Sequence, residues 1–334
     1  MKSRKLQHIF SLAPILGALF FSLGLPVSTS AVAATNSTSK AQVPAQPVRS
    51  DVVLNNGRRL SFLTFGASNK PVLILMHGKG GTAAESIQFA EELARDYRVY
   101  ALDFRGSGLS DWAPDGDYTV ESTVDDLTQF VSAMQLDRFV LYGHSYGAVV
   151  GIAYAASNAG HTALLILEDG GPTTLSDGTL PPANPGQTYF AGTPTPAPQP
   201  KVYGSWNEMA ANETMRSAAQ HTHAVLESRF VRHADGTVHA RNDVLGLWKT
   251  VRGAGFTHPW PLVRALTMPT LLLRAERGLV PAPIAQEMVR TNPQISSVTI
   301  NGAGHGIHYE MQDRVISEVQ KFTSQHTAQI KPAP

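Results

Sequence analysis

The sequence predicts an α/β domain built on a mostly parallel β-sheet, and two features of its apolar residues support this fold class. Several of its apolar stretches are continuous runs of Val, Ile and Leu, as expected of strands buried on both faces of a parallel sheet. Segments with helical spacing lie between them, and strands that alternate with helices favour this architecture. Eight candidate strands follow in chain order, at residues 52–54, 60–65, 72–76, 98–102, 139–142, 163–167, 270–274 and 297–300.

Two of the intervening segments show clear helical periodicity. One has a single apolar face made of Val120, Val124, Leu127, Phe130, Val131 and Met134. Acidic residues stand in its first two turns, where the helix dipole favours negative charge. The other carries a similar stripe near the C-terminus, made of Met311, Val315, Ile316, Val319 and Phe322.

A long insertion at residues 172–262 interrupts the alternation between the sixth and seventh strands. It is far longer than an ordinary connection, and we interpret it as a cap or lid. It contains a stretch rich in Pro, Gly and Thr at 181–200, which favours turns and extended backbone, and a predicted helical part from Trp206 to Arg232. The α/β core would then comprise residues 51–171 and 263–328.

Residues 1–33 have the pattern of a secretory signal peptide: a basic start, an apolar run at 9–25, and an A-x-A cleavage pattern at Ala31-Val32-Ala33. The run contains a proline and is short for a membrane span, so we expect cleavage rather than a stable anchor. This predicts a periplasmic or secreted protein. Residues 34–50 are polar and rich in proline, and are predicted to be a disordered lead-in.

Composition excludes several classes of function. The formal net charge is +1 and the chain has no blocks of Lys or Arg, so it offers no electrostatic footprint for nucleic acid. It contains no cysteine, which excludes disulfides, thiolate zinc sites and a cysteine nucleophile. His221 and His223 in the insertion lack a recognisable ligand motif and are interpreted as exposed polar residues. We therefore expect no metal and no cofactor.

A serine stands between two glycines directly after the fifth strand, in Gly143-His144-Ser145-Tyr146-Gly147. Small residues follow and continue as a helix, so the stretch predicts a tight strand-to-helix turn. Such a turn holds the serine in strained backbone with its hydroxyl above the sheet edge, and the glycines avoid collisions with the strand and helix. Ser145 is therefore a candidate nucleophile.

Three further glycine-rich stretches follow predicted strands: His77-Gly78-Lys79-Gly80-Gly81, Asp103 to Ser110 (DFRGSGLS), and Gly302-Ala303-Gly304-His305. Together with GHSYG they resemble the α/β-hydrolase family, over residues 52–325. The resemblance implies an eight-stranded, mostly parallel sheet flanked by helices, with a partly helical cap inserted after strand six.

The resemblance assigns Ser145 as nucleophile and His305 as general base, with His308 as a nearby competitor. A serine hydroxyl needs an imidazole within reach to take its proton during attack. In the family, the oxyanion is held by two backbone amides, which correspond here to those of Lys79 and Tyr146.

The acid of the triad departs from the family pattern. The family places it after strand seven in a G-x-x-D turn, but Ala275-Glu276-Arg277-Gly278 has glycine where the aspartate is expected. Some members place the acid after strand six, where this chain has Glu168-Asp169-Gly170-Gly171-Pro172. We rank Glu168 first because of its spacing from the proline, Glu276 second and Asp169 last.

These features predict an exported serine hydrolase, carboxylesterase-like or lactonase-like, that forms an acyl-enzyme with a small-molecule ester or lactone. A serine nucleophile argues against the dehalogenase and epoxide-hydrolase branches, which use aspartate. Hydrolases of carbon–carbon bonds and proline iminopeptidases keep the serine and remain alternatives, as does a non-catalytic ligand-binding relative.

Overall fold

The computed structural model describes residues 46–182, 199–213, 222–253 and 259–330. The strands are β1 (Val48–Val53), β2 (Arg59–Phe65), β3 (Val72–Met76), β4 (Arg98–Leu102), β5 (Phe139–His144), β6 (Thr162–Glu168), β7 (Val202–Tyr203), β8 (Phe230–Arg232), β9 (Val238–Ala240), β10 (Thr270–Ala275) and β11 (Ile295–Ile300). The helices are α1 (Ile87–Leu93), α2 (Val120–Ala133), α3 (Tyr146–Ser157), α4 (Trp206–Asn212), α5 (His223–Arg229), α6 (Val244–Gly253), α7 (Pro259–Ala265), α8 (Ala282–Thr291), α9 (Ile307–Glu310), α10 (Gln312–Ser324) and α11 (Thr327–Ile330).

The central sheet has eight strands in the order β1-β2-β4-β3-β5-β6-β10-β11. Only the pairings β1 with β2 and β2 with β4 are antiparallel, so the predicted mostly parallel sheet is confirmed. The N-terminal boundary differs from the prediction, because Val48 already pairs with Thr64 although residues 34–50 were expected to be disordered. Polar and charged residues are compatible with β1 because it is an edge strand.

Strand residues alternate between two cores, one on each face of the sheet. Ile74 and Met76 of β3 pack in the core under α2 and α3, whereas Leu73 and Leu75 pack in the core under α1 and α10. Side chains of successive strand residues point to opposite faces, and helices cover both faces here. The two predicted helical stripes form α2 and α10, as expected.

The strand order changes direction between β3 and β5: the chain passes from β3 to β4 on one side and returns to β5 on the other. In open α/β sheets, ligands bind in the crevice outside the carboxyl ends of the strands at such a point. The segments that follow β3 and β5 therefore flank the expected position of a binding site.

The insertion after β6 contains a second, three-stranded antiparallel sheet, in the order β7-β9-β8, together with α4 to α7. The prediction of a helical part from Trp206 to Arg232 holds for α4 and α5, but Phe230–Arg232 is a strand. The proline-rich stretch lies mainly outside the described residues. Asn242 joins the insertion to the core, since its side chain accepts a hydrogen bond from the Gly108 amide at 3.1 Å and donates one to the Gly80 carbonyl at 2.7 Å.

Within the described ranges, no helix is both long and apolar enough to cross a membrane. The same residues contain no cluster of three or more potential metal ligands. His223 is exposed and lies 2.9 Å from Glu227, one turn further along α5, and His221 lies outside the described residues.

Candidate active site

Ser145 occupies a sharp turn between β5 and α3, with φ 54° and ψ −113°. This left-handed backbone is costly for a residue with a side chain. The flanking glycines are required for close packing: a β-carbon on Gly143 would lie 2.2 Å from the Gly147 carbonyl oxygen, and one on Gly147 would lie 2.5 Å from that of Met76. The turn therefore presents the serine hydroxyl at the carboxyl end of the sheet, and Ser145 is partly exposed.

Three side chains form a continuous hydrogen-bonded chain at this edge. His305 Nε2 lies 2.9 Å from Ser145 Oγ, and His305 Nδ1 lies 2.7 Å from Asp169 Oδ2. With the Nδ1 proton donated to the carboxylate, Nε2 is free to accept the serine proton. The Asp169 side chain is fully buried and that of His305 is 20% exposed, so the ionic end of the chain is shielded and the reactive end is accessible.

Backbone amides fix the Asp169 carboxylate. Its oxygens accept hydrogen bonds from the amides of Ala275, the last residue of β10, at 3.2 Å and of Leu279, in the segment that follows, at 2.7 Å. A β-carbon on Gly278 would lie 2.1 Å from Oδ2, so only glycine leaves room for the carboxylate. The glycine that replaces the expected aspartate after β10 therefore accommodates an aspartate supplied by the end of β6.

The structure corrects the ranking of the candidate acids, because Glu168 points away from His305. Its carboxylate accepts hydrogen bonds from Tyr142 Oη at 2.7 Å, from His308 Nδ1 at 2.7 Å and from the His308 amide at 2.8 Å. Glu168 and Asp169 are consecutive, and side chains of consecutive residues at a strand end leave on opposite sides. Glu168, Tyr142 and His308 therefore form an anchor for the loop that carries His305. His308 belongs to this Glu168 anchor and not to the Ser145–His305–Asp169 chain.

Glu276, ranked second, likewise does not bond to His305, whose Nδ1 is paired with Asp169. One of its oxygens accepts a hydrogen bond from the Gly302 amide at 2.7 Å, in the turn after β11. Its backbone amide and that of Arg277 bond to the same segment. Glu276 thus connects the ends of β10 and β11 and lies one turn too early to reach the imidazole.

The neighbours of Glu168 stabilise the charged form of its carboxylate. Burial alone would raise the pKa of Glu168, but His308 and His144 outweigh it and lower that pKa to about 2. Burial, and then Glu168, raise the pKa of Tyr142 well above its ordinary value, so the phenol stays protonated and donates. The anchor therefore contains a buried carboxylate ion next to the Ser145–His305–Asp169 chain.

His144, the residue before Ser145, holds the loop that carries His305 from a second side. Its Nε2 donates to the His305 carbonyl oxygen at 3.0 Å, and the two rings lie 4.8 Å apart. Burial lowers the pKa of His144 to about 3, so it is neutral at ordinary pH. The sequence pattern carried no signal for this contact, because the residue is unspecified in the G-x-S-x-G motif.

The loop after β3 lies directly beside Ser145. A β-carbon on Gly78 would lie 3.2 Å from that of Ser145. His77 is buried and fixes the loop, donating from Nδ1 to the Gly78 carbonyl at 2.6 Å and accepting at Nε2 from the Phe104 amide at 3.1 Å. The backbone amides of Lys79 and Tyr146 thus belong to two loops that meet at Ser145, and their role as oxyanion donors stays a prediction.

Comparison with known proteins identifies the fold independently of these contacts. A family model described as alpha/beta hydrolase fold matches residues 71–311. N-formylmaleamate deformylase of Pseudomonas putida is 30% identical over 273 residues, covering 77% of this chain and 90% of that protein. Hydrolases are therefore among its sequence relatives.

Solved structures show the same architecture. E-2-(acetamidomethylene)succinate hydrolase superposes with a TM-score of 0.69 at 21% identity, covering 83% of this chain and 99% of its own. N-formylmaleamic acid deformylase from Pseudomonas putida S16 superposes with a TM-score of 0.61 at 21% identity, covering 82% of this chain and 100% of its own. At these identities the likeness establishes the fold alone.

Proposed function

Because the chain belongs to the α/β-hydrolase fold family, we propose that it is an exported serine hydrolase that cleaves small carboxylic esters or lactones through an acyl-enzyme on Ser145. The observation that supports this most strongly is the hydrogen-bonded chain Ser145–His305–Asp169, with distances of 2.9 Å and 2.7 Å. This arrangement is suited to acyl transfer, because each member activates or orients the next.

The reaction starts when Ser145 Oγ attacks the ester carbonyl carbon and His305 Nε2 takes the serine proton. Asp169 stabilises the imidazolium that forms and keeps its ring in place. The tetrahedral intermediate collapses when the imidazolium gives its proton to the leaving alcohol oxygen, which leaves the acyl group on Oγ. Water, deprotonated by His305, then attacks the acyl-enzyme, and the released serine recovers its proton.

The oxyanion would be held by the amides of Lys79 and Tyr146. Tyr146 is the first residue of α3, where the backbone N–H groups have no partner within the helix and point outward. Lys79 follows Gly78, whose backbone lies against Ser145. Two preorganised donors at this point favour the charged intermediate over the neutral ester.

Reaction with a fluorophosphonate probe tests the nucleophile. We expect stoichiometric labelling of Ser145, identified by peptide mass spectrometry, and no labelling in Ser145→Ala. A well-folded parent protein that resists the probe would contradict the serine mechanism and favour a non-catalytic ligand-binding role.

A substrate panel tests the chemical class: short-chain and long-chain nitrophenyl esters, lactones, N-formyl amides and proline amides. We expect the highest kcat/KM for a short-chain ester or a lactone. A second candidate, hydrolysis of an N-formyl amide, is favoured by the identity with N-formylmaleamate deformylase. Turnover of N-formyl amides alone would replace the first assignment with the second.

Export is proposed on the basic start, apolar run and Ala31-Val32-Ala33 of the first 33 residues. Expression of the full chain in a bacterium with two membranes, followed by fractionation and N-terminal sequencing, tests it. We expect a shortened protein outside the cytoplasm that begins near Ala34. An uncleaved protein in the cytoplasm would contradict the proposal.

A further inference from the structure

We propose that the substrate carries a carboxylate and that the Lys79 ammonium binds it close to the scissile carbonyl. This inference rests on the proposed function and narrows its substrate class. It concerns the side chain of Lys79, whereas the proposed oxyanion donor is the backbone amide of the same residue.

The ammonium lies beside Tyr146, the neighbour of Ser145 in the chain. Lys79 follows Gly78, whose backbone contacts Ser145, and its Nζ lies 5.8 Å from the ring centroid of Tyr146, the residue directly after the serine. This distance is within the range of a cation–π contact. A substrate held at Ser145 would therefore pass close to the ammonium.

Among the residues that the structure describes, no acidic side chain provides a counter-charge for this ammonium. All 26 Asp and Glu residues lie in the ranges that the structure describes, and none of them forms an ion pair with Lys79 there. Burial lowers the pKa of Lys79 to about 8, with no opposing contribution from a nearby acid. A partly buried cation without an acidic partner is unfavourable, and a substrate carboxylate would compensate for that cost.

Arg105 lines the same small cavity as Lys79 but, unlike Lys79, is paired with an acidic side chain. Its Nε lies 2.6 Å from Asp126 Oδ2, and its remaining nitrogens donate to the carbonyl oxygens of Asp117 and Ser122. Arg105 therefore supports the fold, and Lys79 is the cation in this cavity that remains available for a ligand.

The cavity beside the ammonium has room for about one water-sized group. It encloses about 10 Å³ and is lined by Lys79, Tyr146 and Ser107, among others. Ser107 is 1% exposed, and its hydroxyl has no hydrogen-bond partner among the described residues. A buried hydroxyl ordinarily forms a hydrogen bond, and here it can serve as a second donor beside the ammonium.

A matched pair of substrates isolates the effect of charge: the mono-4-nitrophenyl ester of glutaric acid and the 4-nitrophenyl ester of its half-amide. The two have nearly the same size and differ in net charge. The quantity measured is the ratio of their kcat/KM values, after subtraction of the uncatalysed rates. Effects on attack, on the oxyanion or on folding change both values and cancel in the ratio.

We expect the parent to prefer the carboxylate ester and Lys79→Met to reduce the ratio by about tenfold to a hundredfold, the effect of losing one charge-assisted hydrogen bond. Lys79→Arg should retain most of the preference. Lys70→Met is the matched control, since Lys70 precedes β3 at the edge of the sheet opposite the site, and its ammonium donates to the carbonyl oxygens of Ala94 and Arg95.

The ratio should also depend on pH. The ammonium of Lys79 is charged below a pKa of about 8, so the preference should be present at lower pH and fall as the pH rises through that value. Effects of pH on attack itself change both kcat/KM values and cancel in the ratio. In Lys79→Arg the preference should persist at high pH, because a guanidinium stays protonated.

The outcomes separate the two proposals. If neither ester is hydrolysed, the proposed function fails. If both are hydrolysed and Lys79→Met lowers the two kcat/KM values equally, or leaves the ratio unchanged, the carboxylate inference is overturned while the hydrolase stands.

Discussion

A β-carbon on Gly278 would lie 2.1 Å from Oδ2 of Asp169, so the backbone after β10 and the carboxylate after β6 occupy adjoining space that no side chain at position 278 could share. The site where the family pattern expects an aspartate is thereby filled by an aspartate from a neighbouring strand. Asp169 thus contacts the His305 imidazole from the end of β6, whereas the family pattern expects this carboxylate after β10.

Replacing Asp169 by asparagine should lower kcat for a short-chain nitrophenyl ester by roughly a thousandfold to ten-thousandfold, because an amide neither stabilises the imidazolium nor maintains its tautomer. Glu276→Gln is the matched control and should stay within about threefold of the parent. The assignment of Asp169 would be wrong if Asp169→Asn kept near-parental rates.

Replacing Gly278 by alanine should lower kcat by about tenfold to a hundredfold, because the added methyl group displaces the carboxylate from His305 and small misplacements of catalytic groups are costly. Steady-state kinetics with the same ester measures the effect. Gly160→Ala is a suitable comparison, since a β-carbon there meets nothing within 4 Å. Equal rates for both variants would show that the close approach is unimportant.

Replacing Glu168 by glutamine should lower the free energy of unfolding by about 1–3 kcal/mol at neutral pH, because the variant weakens the charged hydrogen bonds to His308 and Tyr142. Denaturant titration gives the value. The folded-state pKa of Glu168 is about 2, below its ordinary value of 4.5, so its ionisation stabilises the fold fully above pH 4.5. The difference between parent and variant should therefore shrink as the pH falls from 4.5 towards 2. A difference that stays constant over this window would contradict the assigned anchor.

Replacing Ser145 by glycine should give a more stable protein than replacing it by alanine. The backbone at φ 54° and ψ −113° is strained for any residue with a β-carbon, and glycine relieves that strain. The net gain should be about 1 kcal/mol, because glycine also raises the entropy of the unfolded chain. Both variants lack the nucleophile, so thermal unfolding compares them directly. An alanine variant at least as stable as the glycine variant would disprove the strain.

The sheet and the pairing of Ser145 with His305 were predictable from the sequence because their signals are local. Continuous apolar runs mark strands that are buried on both faces, and each of the eight predicted runs overlaps a strand of the central sheet. Ser145 and His305 stand in glycine-rich turns directly after such strands, and a turn of that kind depends on a few consecutive residues. The structure places their side chains 2.9 Å apart.

The choice of carboxylate and the surroundings of Lys79 were decided only by the tertiary structure. Glu168 and Asp169 are neighbours in sequence, but the strand end directs one towards His308 and the other towards His305. Gly278, more than a hundred residues further along the chain, leaves the space that Asp169 occupies. Likewise, the absence of an acidic partner for Lys79 depends on where every acid of the chain has folded. Contacts between distant segments follow from packing, and no local pattern of residues encodes them.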